Sequence, residues 1–218
     1  MTIRALFAGL AALAATAQAA ALQFPGLMPP SLSRSDKPNP AIARLRDYQA
    51  VLHTNLGKIA IELDADSAPN AVRNFIKLAQ RGFYDGTRFY CVFKDRMILA
   101  GDPTGKGTSD AGYTLDYENS PVGHTAGTVA IDRSPKAGQN SGSRFFINVG
   151  SQHHLDRDYT VFARLADGLE VARRISAARA RPAGGRPTPI EEIVIEQITV
   201  SKRAEKPGQS GKKGVGQE

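Results

Sequence analysis

The sequence predicts a mainly β fold, a closed antiparallel barrel with helices packed on its outside. Three observations carry this prediction. Short apolar runs of strand-like composition recur along the chain, only two segments have the periodicity of an amphipathic helix, and Gly-rich loops separate these elements. At 218 residues the chain has room for one domain with flanking segments.

The first predicted element is a β-hairpin. Two apolar runs with alternating character lie at residues 50–54 and 58–63. Asn55-Leu56-Gly57 separates them and has the composition of a hairpin turn. The pattern therefore predicts two adjacent antiparallel strands at the start of the domain.

A helix is predicted after this hairpin. Ser67 is a suitable N-cap residue, and Pro69 suits the first helical turn. Gly82 ends the segment. Between them, apolar residues recur at helical spacing: Val72, Phe75, Ile76 and Ala79.

The rest of the domain reads as strands and one further helix. A second amphipathic helix is predicted from the spacing of Leu169, Ala172, Ile175 and Ala178. Strands are predicted at residues 88–93, 97–100, 128–131, 145–148, 160–166 and 190–200.

The first residues have the features of an export signal. Arg4 precedes an apolar run over residues 5–15, and Ala17-Gln18-Ala19 fits the small-x-small cleavage pattern. The run is shorter than the roughly 20 apolar residues that cross a bilayer, which disfavours the alternative of a retained membrane anchor. Residues 1–19 are therefore predicted to be a signal peptide cleaved after Ala19, so that a bacterial chain would be periplasmic or secreted.

Polar segments flank the predicted domain on both sides. Residues 20–46 are predicted to be a Pro-rich linker, and residues 202–218 a disordered basic tail, because neither can bury enough apolar surface to offset its ordering. The compact domain is expected over residues 47–201.

Composition excludes several classes of function. The net charge of +7 favours anionic neighbours, but no nucleic-acid-binding motif accompanies it. Cys91 is the single cysteine, so no disulfide can form within the chain. No ligand cluster has the spacing of a metal site, no later segment is apolar enough to span a membrane, and nothing demands more than a monomer.

Four blocks of sequence carry a resemblance to a known family. GFYDGTRFYCVF, GDPTGKGT, SGSRFFINV and LDRDYTVF have the order and spacing of the cyclophilin-type peptidyl-prolyl isomerases, and the similarity spans roughly residues 50–200. This resemblance implies an eight-stranded antiparallel barrel capped by two α-helices. It also implies isomerisation of proline-containing polypeptide segments without a metal or cofactor.

The resemblance further implies which residues bind substrate. The X–Pro bond has a rotational barrier of about 18–20 kcal/mol, and an enzyme lowers it by binding the twisted amide better than the planar one. In the family an arginine donates toward the prolyl nitrogen while an apolar pocket grips the proline ring. The pocket positions of the family match Met97, Phe146, Leu155 and Tyr159.

The polar half of the family's site is replaced in this chain. The family pattern FHRVIPGFMIQGGD aligns without gaps on residues 89–102. Cys91 stands at the position of the catalytic arginine, Arg96 at that of a pocket phenylalanine, and Leu99 at that of a glutamine. A thiol is one weak donor and cannot replace a guanidinium.

Further replacements introduce charge beside the predicted pocket. Asp132 and Arg133 stand at the positions of an Ala-Asn pair that flanks the substrate backbone, and Arg144 at that of a second glutamine. We expect Arg144 to point over the groove, because it lies next to the strand position of Phe146. Arg144 is therefore the candidate surrogate for the missing arginine and the fifth residue predicted to bind substrate.

Two functions are compatible with these residues. The first is a peptidyl-prolyl cis-trans isomerase that assists folding of exported proteins, with activity weakened because Cys91 replaces the catalytic arginine. The alternative is a non-catalytic binding module for proline-containing or acidic peptide segments, favoured by the positive charge that Arg96 and Arg144 bring to the groove.

Overall fold

The computed structural model of the chain describes residues 45–135 and 138–203. The signal peptide predicted for residues 1–19, nearly all of the predicted linker and the tail beyond Arg203 lie outside the described residues. Within the described part of the chain, no helix combines the length and apolarity that a membrane crossing requires.

Twelve strands and two α-helices make up the described residues. The helices are α1 (Pro69–Gln80) and α2 (Leu169–Ser176), and a short 3-10 helix spans His153–Leu155. The strands are β1 (Tyr48–Thr54), β2 (Gly57–Leu63), β3 (Thr87–Arg88), β4 (Cys91–Phe93), β5 (Met97–Ala100), β6 (Thr114–Leu115), β7 (Thr128–Arg133), β8 (Asn140–Asn148), β9 (Val161–Asp167), β10 (Ala180–Ala183), β11 (Arg186–Pro189) and β12 (Val194–Lys202).

Ten of these strands form one curled antiparallel sheet in the order β3-β12-β1-β2-β9-β7-β8-β5-β4, with β6 paired to β8. The two ends of this order, β3 and β4, are consecutive in the chain. Phe89 N–H donates to Ile193 O at 2.9 Å, and Tyr90 N–H donates to Leu99 O at 3.1 Å. Residues 87–93 therefore join both ends of the sheet, and the predicted mainly β barrel with two helices is confirmed.

The described barrel has two more strands than the eight predicted. The segment predicted as one strand over residues 88–93 changes partner at Phe89-Tyr90 and so becomes β3 and β4. The second additional strand is β6, two residues long, which pairs with the start of β8. Change of partner within one extended segment leaves no trace in the hydrophobic pattern.

Helix α1 packs its apolar face against the sheet, in contact with β8, β9 and β12. Its predicted face is buried, and Phe75 lies with its ring centre 5.3 Å from that of Phe162 on β9 and 5.9 Å from that of Phe145 on β8. Phe145 and Phe146 are neighbours in β8, so their side chains point to opposite faces of the sheet. The Phe145 face belongs to the core under α1, which leaves the Phe146 face for a separate cluster.

The predicted N-cap of α1 is wrong. Ala68 occupies the N-cap position, and no side chain next to it in sequence caps the helix. Instead the Glu118 carboxylate accepts hydrogen bonds from Asn70 N–H at 3.0 Å and Ala71 N–H at 2.9 Å. A distant carboxylate thus satisfies the free N–H groups that Ser67 was expected to satisfy.

The region after α2 also differs from its prediction. Helix α2 ends at Ser176 rather than at Ala178, and β12 begins at Val194 rather than at residue 190. Between them β10 and β11 form a separate hairpin around Gly184-Gly185, both with positive φ, as a tight hairpin turn requires. This hairpin packs against β4, the strand that carries Cys91.

Candidate active site

A row of paired residues crosses five strands on the Phe146 face of the sheet. The pairs are Cys91 with Leu99, Leu99 with Phe146, Phe146 with Ala130, and Ala130 with Val161. Residues paired across antiparallel strands place their side chains on the same face. The row is therefore a continuous apolar surface, and all five of its residues are buried.

Four of the five residues predicted to bind substrate lie in this row or pack against it. Phe146 is 2% exposed and lies within the row, while Met97, Leu155 and Tyr159 are half-buried and pack against it. The Tyr159 ring meets the Phe146 ring edge-on, with centres 5.4 Å apart. The structure thus brings the four side chains into one cluster; contact with a proline ring stays a prediction.

His124 is a buried residue next to Phe146 that was not predicted to belong to the site. Its ring stacks on Phe146 with centres 5.8 Å apart, and its Nδ1 lies 3.0 Å from Asp156 Oδ1. Hydrogen bonds, above all that from His124 N–H, lower the pKa of Asp156 to about 2. The carboxylate therefore stays charged and holds the His124 ring against Phe146. A lone histidine in sequence gives no sign of such packing.

Cys91 sits at the end of the row with no exposed surface. Burial raises the pKa of its thiol to about 11, and the charge of nearby Arg186 opposes this shift. The thiol is thus protonated at neutral pH and is a poor nucleophile. As a weak, buried donor it also cannot supply what a guanidinium supplies.

Arg144, the predicted surrogate, is part of a buried polar network. Its Nε donates to Tyr90 Oη at 2.9 Å, its Nη2 to Asp132 Oδ2 at 2.5 Å, and its Nη1 to Gly107 O at 3.3 Å. The side chain is 4% exposed. The expectation that it points over an open groove does not match these contacts, because all three nitrogens already donate to the protein. A catalytic role of Arg144 stays a prediction.

The charge of Arg144 is maintained by its neighbours. Burial lowers its pKa, but Tyr90 and Asp132 outweigh burial and raise it overall. Asp132 also accepts a hydrogen bond from Tyr90 Oη at 2.9 Å. Asp132 and Arg144, two of the residues expected to differ from the family pattern, form an ion pair with each other.

Two further arginines lie at the rim of the cluster. Arg96 is exposed; its guanidinium carbon lies 5.9 Å from the centre of the Phe93 ring, and its Nε donates to Gln152 Oε1 at 3.2 Å. Arg133 is also exposed, with its guanidinium carbon 4.9 Å from the centre of the Tyr159 ring. Positive charge therefore flanks the apolar cluster on two sides.

Arg186 is a cation of this region that the sequence analysis missed. It begins β11, is half-buried, and its Nη1 donates to Gly107 O at 2.6 Å. Gly107 O therefore accepts from two arginines, Arg186 and Arg144. The hairpin that brings Arg186 here was not predicted, so its contact could not be predicted either.

Fold and site together define a β-barrel protein whose curled antiparallel sheet carries an apolar cluster around Phe146 on one face. The family model described as cyclophilin type peptidyl-prolyl cis-trans isomerase/CLD matches residues 50–200. The chain belongs to this family.

Relatives and a solved structure agree with the family model. A peptidyl-prolyl cis-trans isomerase of Synechococcus elongatus is 41% identical over 130 residues, which cover 58% of this chain and 88% of the relative. The probable peptidyl-prolyl cis-trans isomerase A of Mycobacterium bovis is 35% identical over 167 residues, covering 70% and 91%. A cyclophilin of Cryptosporidium parvum, crystallised in the presence of the dipeptide Ala-Pro, aligns with a TM-score of 0.63 at 30% identity and covers 71% of this chain and 99% of its own.

Proposed function

We propose that this chain isomerises X–Pro bonds more slowly than a family member with arginine at position 91. The reaction would take place at the row from Cys91 to Val161 and the side chains packed against it, which we call the Phe146 cluster. The observation that carries this proposal is the row from Cys91 to Val161, with Met97, Leu155 and Tyr159 packed around it. These residues form an apolar surface that includes the aromatic rings of Phe146 and Tyr159, as a site for a proline ring requires.

The reaction needs no bond to be made or broken. Rotation about the C–N bond removes amide conjugation, so the prolyl nitrogen gains a lone pair that a donor can stabilise. Holding the ring against Phe146 while the preceding residue rotates favours the twisted form. Loss of one preorganised donor typically costs about 10²–10³ in rate, which is the reduction expected from Cys91.

The second candidate is a binding module that holds proline-containing or acidic segments without turnover. Exposed Arg96 and Arg133 at the rim favour it, because each leaves positive charge beside the apolar cluster. Engagement of Arg144 in the buried network favours it too, since that removes the predicted surrogate from the groove.

The experiment is exchange spectroscopy on an Ala-Pro peptide with the full-length chain. We expect cis–trans exchange above the uncatalysed rate, and a loss of that excess in Phe146→Ala. Cys91→Arg should raise kcat/KM by about 10²-fold, because it restores the missing donor. Cys91→Lys is the matched control and should gain less, since an ammonium lacks the planar fork of donors. Peptide binding without faster exchange would instead support the binding module.

We further propose that the chain assists folding of exported proteins, as a periplasmic or secreted protein. Support comes from the signal-like segment at residues 1–19. Fractionation of bacteria that express the C-terminally tagged chain should find it outside the cytoplasm, shortened after Ala19. A full-length cytoplasmic product would contradict this.

A further inference from the structure

We propose that Arg186 supplies, from another strand, part of the hydrogen-bond donation that the chain lacks at position 91, with its guanidinium facing the bound X–Pro amide. This inference rests on the proposed function, because it assigns a role within the same reaction. It places the donor on β11 instead of on β4.

The geometry brings Arg186 to the Cys91 end of the row. The β10–β11 hairpin packs against β4, and Arg186 Nη1 donates to Gly107 O at 2.6 Å. A Cβ added to Gly107 would meet both Arg186 Nη1 and the Tyr90 ring, the latter at 2.8 Å. The Arg186 guanidinium and the Tyr90 ring therefore both border Gly107, and Tyr90 is the residue before Cys91.

The balance of charge leaves Arg186 free to act on a ligand. The carboxylate of Asp132 is bonded to Arg144, so these two charges compensate each other. Within the described ranges, 45–135 and 138–203, no carboxylate lies within ion-pairing distance of Arg186. Arg186 is therefore a half-buried positive charge without a carboxylate partner among the described residues.

The field of this charge reaches position 91. Burial has the largest effect on the Cys91 thiol, and among the neighbouring charges that of Arg186 is the strongest, ahead of Asp132 and Arg144. It favours negative charge at Cys91, as expected of a cation close to the thiol. The packing of β11 against β4 and the effect of the Arg186 charge on the thiol both place the Arg186 guanidinium close to Cys91.

The other arginines are less suited to this role. The three nitrogens of Arg144 already donate to protein groups, and Arg96 is exposed with its Nε bonded to Gln152. For Arg186, Gly107 O is the one acceptor found among the described residues. One Nη1–H anchors the side chain, and the remaining N–H groups of its fork can donate to substrate.

The test compares Arg186→Ala, Arg186→Lys and Arg181→Ala with wild type in the full-length chain. Arg181 lies on β10 of the same hairpin and is exposed, so it serves as the matched control. Arg186→Ala should lower kcat by roughly 10-fold with little change in KM, because the donor acts mainly on the twisted amide and replaces only part of the lost donation. Arg186→Lys should fall between, and Arg181→Ala should match wild type.

Rescue separates a chemical role from a merely structural one. Millimolar guanidinium ion should restore part of the activity of Arg186→Ala and leave Arg181→Ala unchanged. Cys91→Arg should likewise restore activity in the Arg186→Ala background. Failure of both rescues in a variant that unfolds at the wild-type temperature would overturn the inference.

The outcomes distinguish this inference from the proposed function. If wild type catalyses exchange and Arg186→Ala does so equally well, the role of Arg186 is wrong and the isomerase stands. If wild type does not catalyse, the isomerase is wrong, and the position of Arg186 is judged by NMR. Its Nε–H resonance should then shift when the Ala-Pro peptide is added, while that of Arg181 stays in place; an unmoved Arg186 resonance overturns the inference.

Discussion

At the scale of single residues, Asp132 and Arg144 show how two buried charges depend on each other. Their side chains are 13% and 4% exposed and are joined by a direct hydrogen bond. Either charge alone would be left in a poorly solvated site, since Tyr90 is the main other partner of both. The pair is therefore tolerated as a unit.

Removing one partner should be costly. Asp132→Ala leaves the Arg144 charge buried and uncompensated, so the free energy of unfolding should fall by about 3 kcal/mol in urea denaturation. Arg173→Ala breaks the exposed pair with Glu170 and should cost less than about 1 kcal/mol. Equal losses in the two variants would contradict the account of a buried pair.

The sequence predicted which apolar side chains lie together, but it did not predict the contacts of the polar ones. Met97, Phe146, Leu155 and Tyr159 were expected in one cluster, and they lie in one. Their placement follows from strand register, which alternation largely determines. The partners of Arg144 depend on how the 101–112 loop and the segment between β3 and β4 meet β7 and β8, and no local pattern encodes that.

At the scale of elements, Glu118 ties a long loop to the start of α1. Its two carboxylate oxygens accept from successive N–H groups of the first turn, at 3.0 and 2.9 Å, and its own N–H donates to Thr160 Oγ1 at 3.0 Å. Burial raises the pKa of Glu118, and the two helix N–H groups oppose that shift. The helix thus depends on a contact made far away in sequence.

Substitutions of Glu118 should lower the stability of α1 by an amount that depends on how many of its two hydrogen bonds are lost. Glu118→Ala should lower the free energy of unfolding by about 1–2 kcal/mol, the range measured for lost caps. Glu118→Gln should lose less, because its amide oxygen still accepts one of the two hydrogen bonds. Amide hydrogen exchange at Asn70 and Ala71 should quicken in the same order. Unchanged exchange in Glu118→Ala would show that the cap is not needed.

Hydrophobic periodicity predicted the helices and the long strands, but it did not predict the β10–β11 hairpin. The α1 face and the long strands have clear repeats, so their type was predictable. The β10–β11 hairpin was missed because Pro182, Pro187 and Pro189 argue against strands by their lack of an N–H group. A separate two-stranded hairpin tolerates them, since its outer edges need no ladder.

At the scale of the whole molecule, β12 completes the barrel. It lies between β1 and β3, pairing Tyr48 with Lys202 on one side and Thr87 with Ile195 on the other. Its inward residues Ile195 and Ile198 are buried. Without β12, two strand edges and part of the core would be exposed together.

Truncation before this strand should abolish the fold. A chain ending at Ile193 lacks the residues of β12 and should show neither a cooperative thermal transition nor the near-ultraviolet circular dichroism of packed aromatics. A chain ending at Arg203 keeps β12 and is the control. Cooperative unfolding of the shorter chain would show that the barrel closes by another route.

The pairing of β1 with β12 also sets when the protein can fold during its synthesis. The chain leaves the ribosome N-terminus first, so β1 emerges long before β12. The edge of β1 that pairs with β12 therefore has no partner until residues 194–202 emerge. Contacts between such distant segments slow folding, because a large loop must close before they form. The barrel can therefore close only after residues 194–202 have emerged, which makes its completion a late step of synthesis.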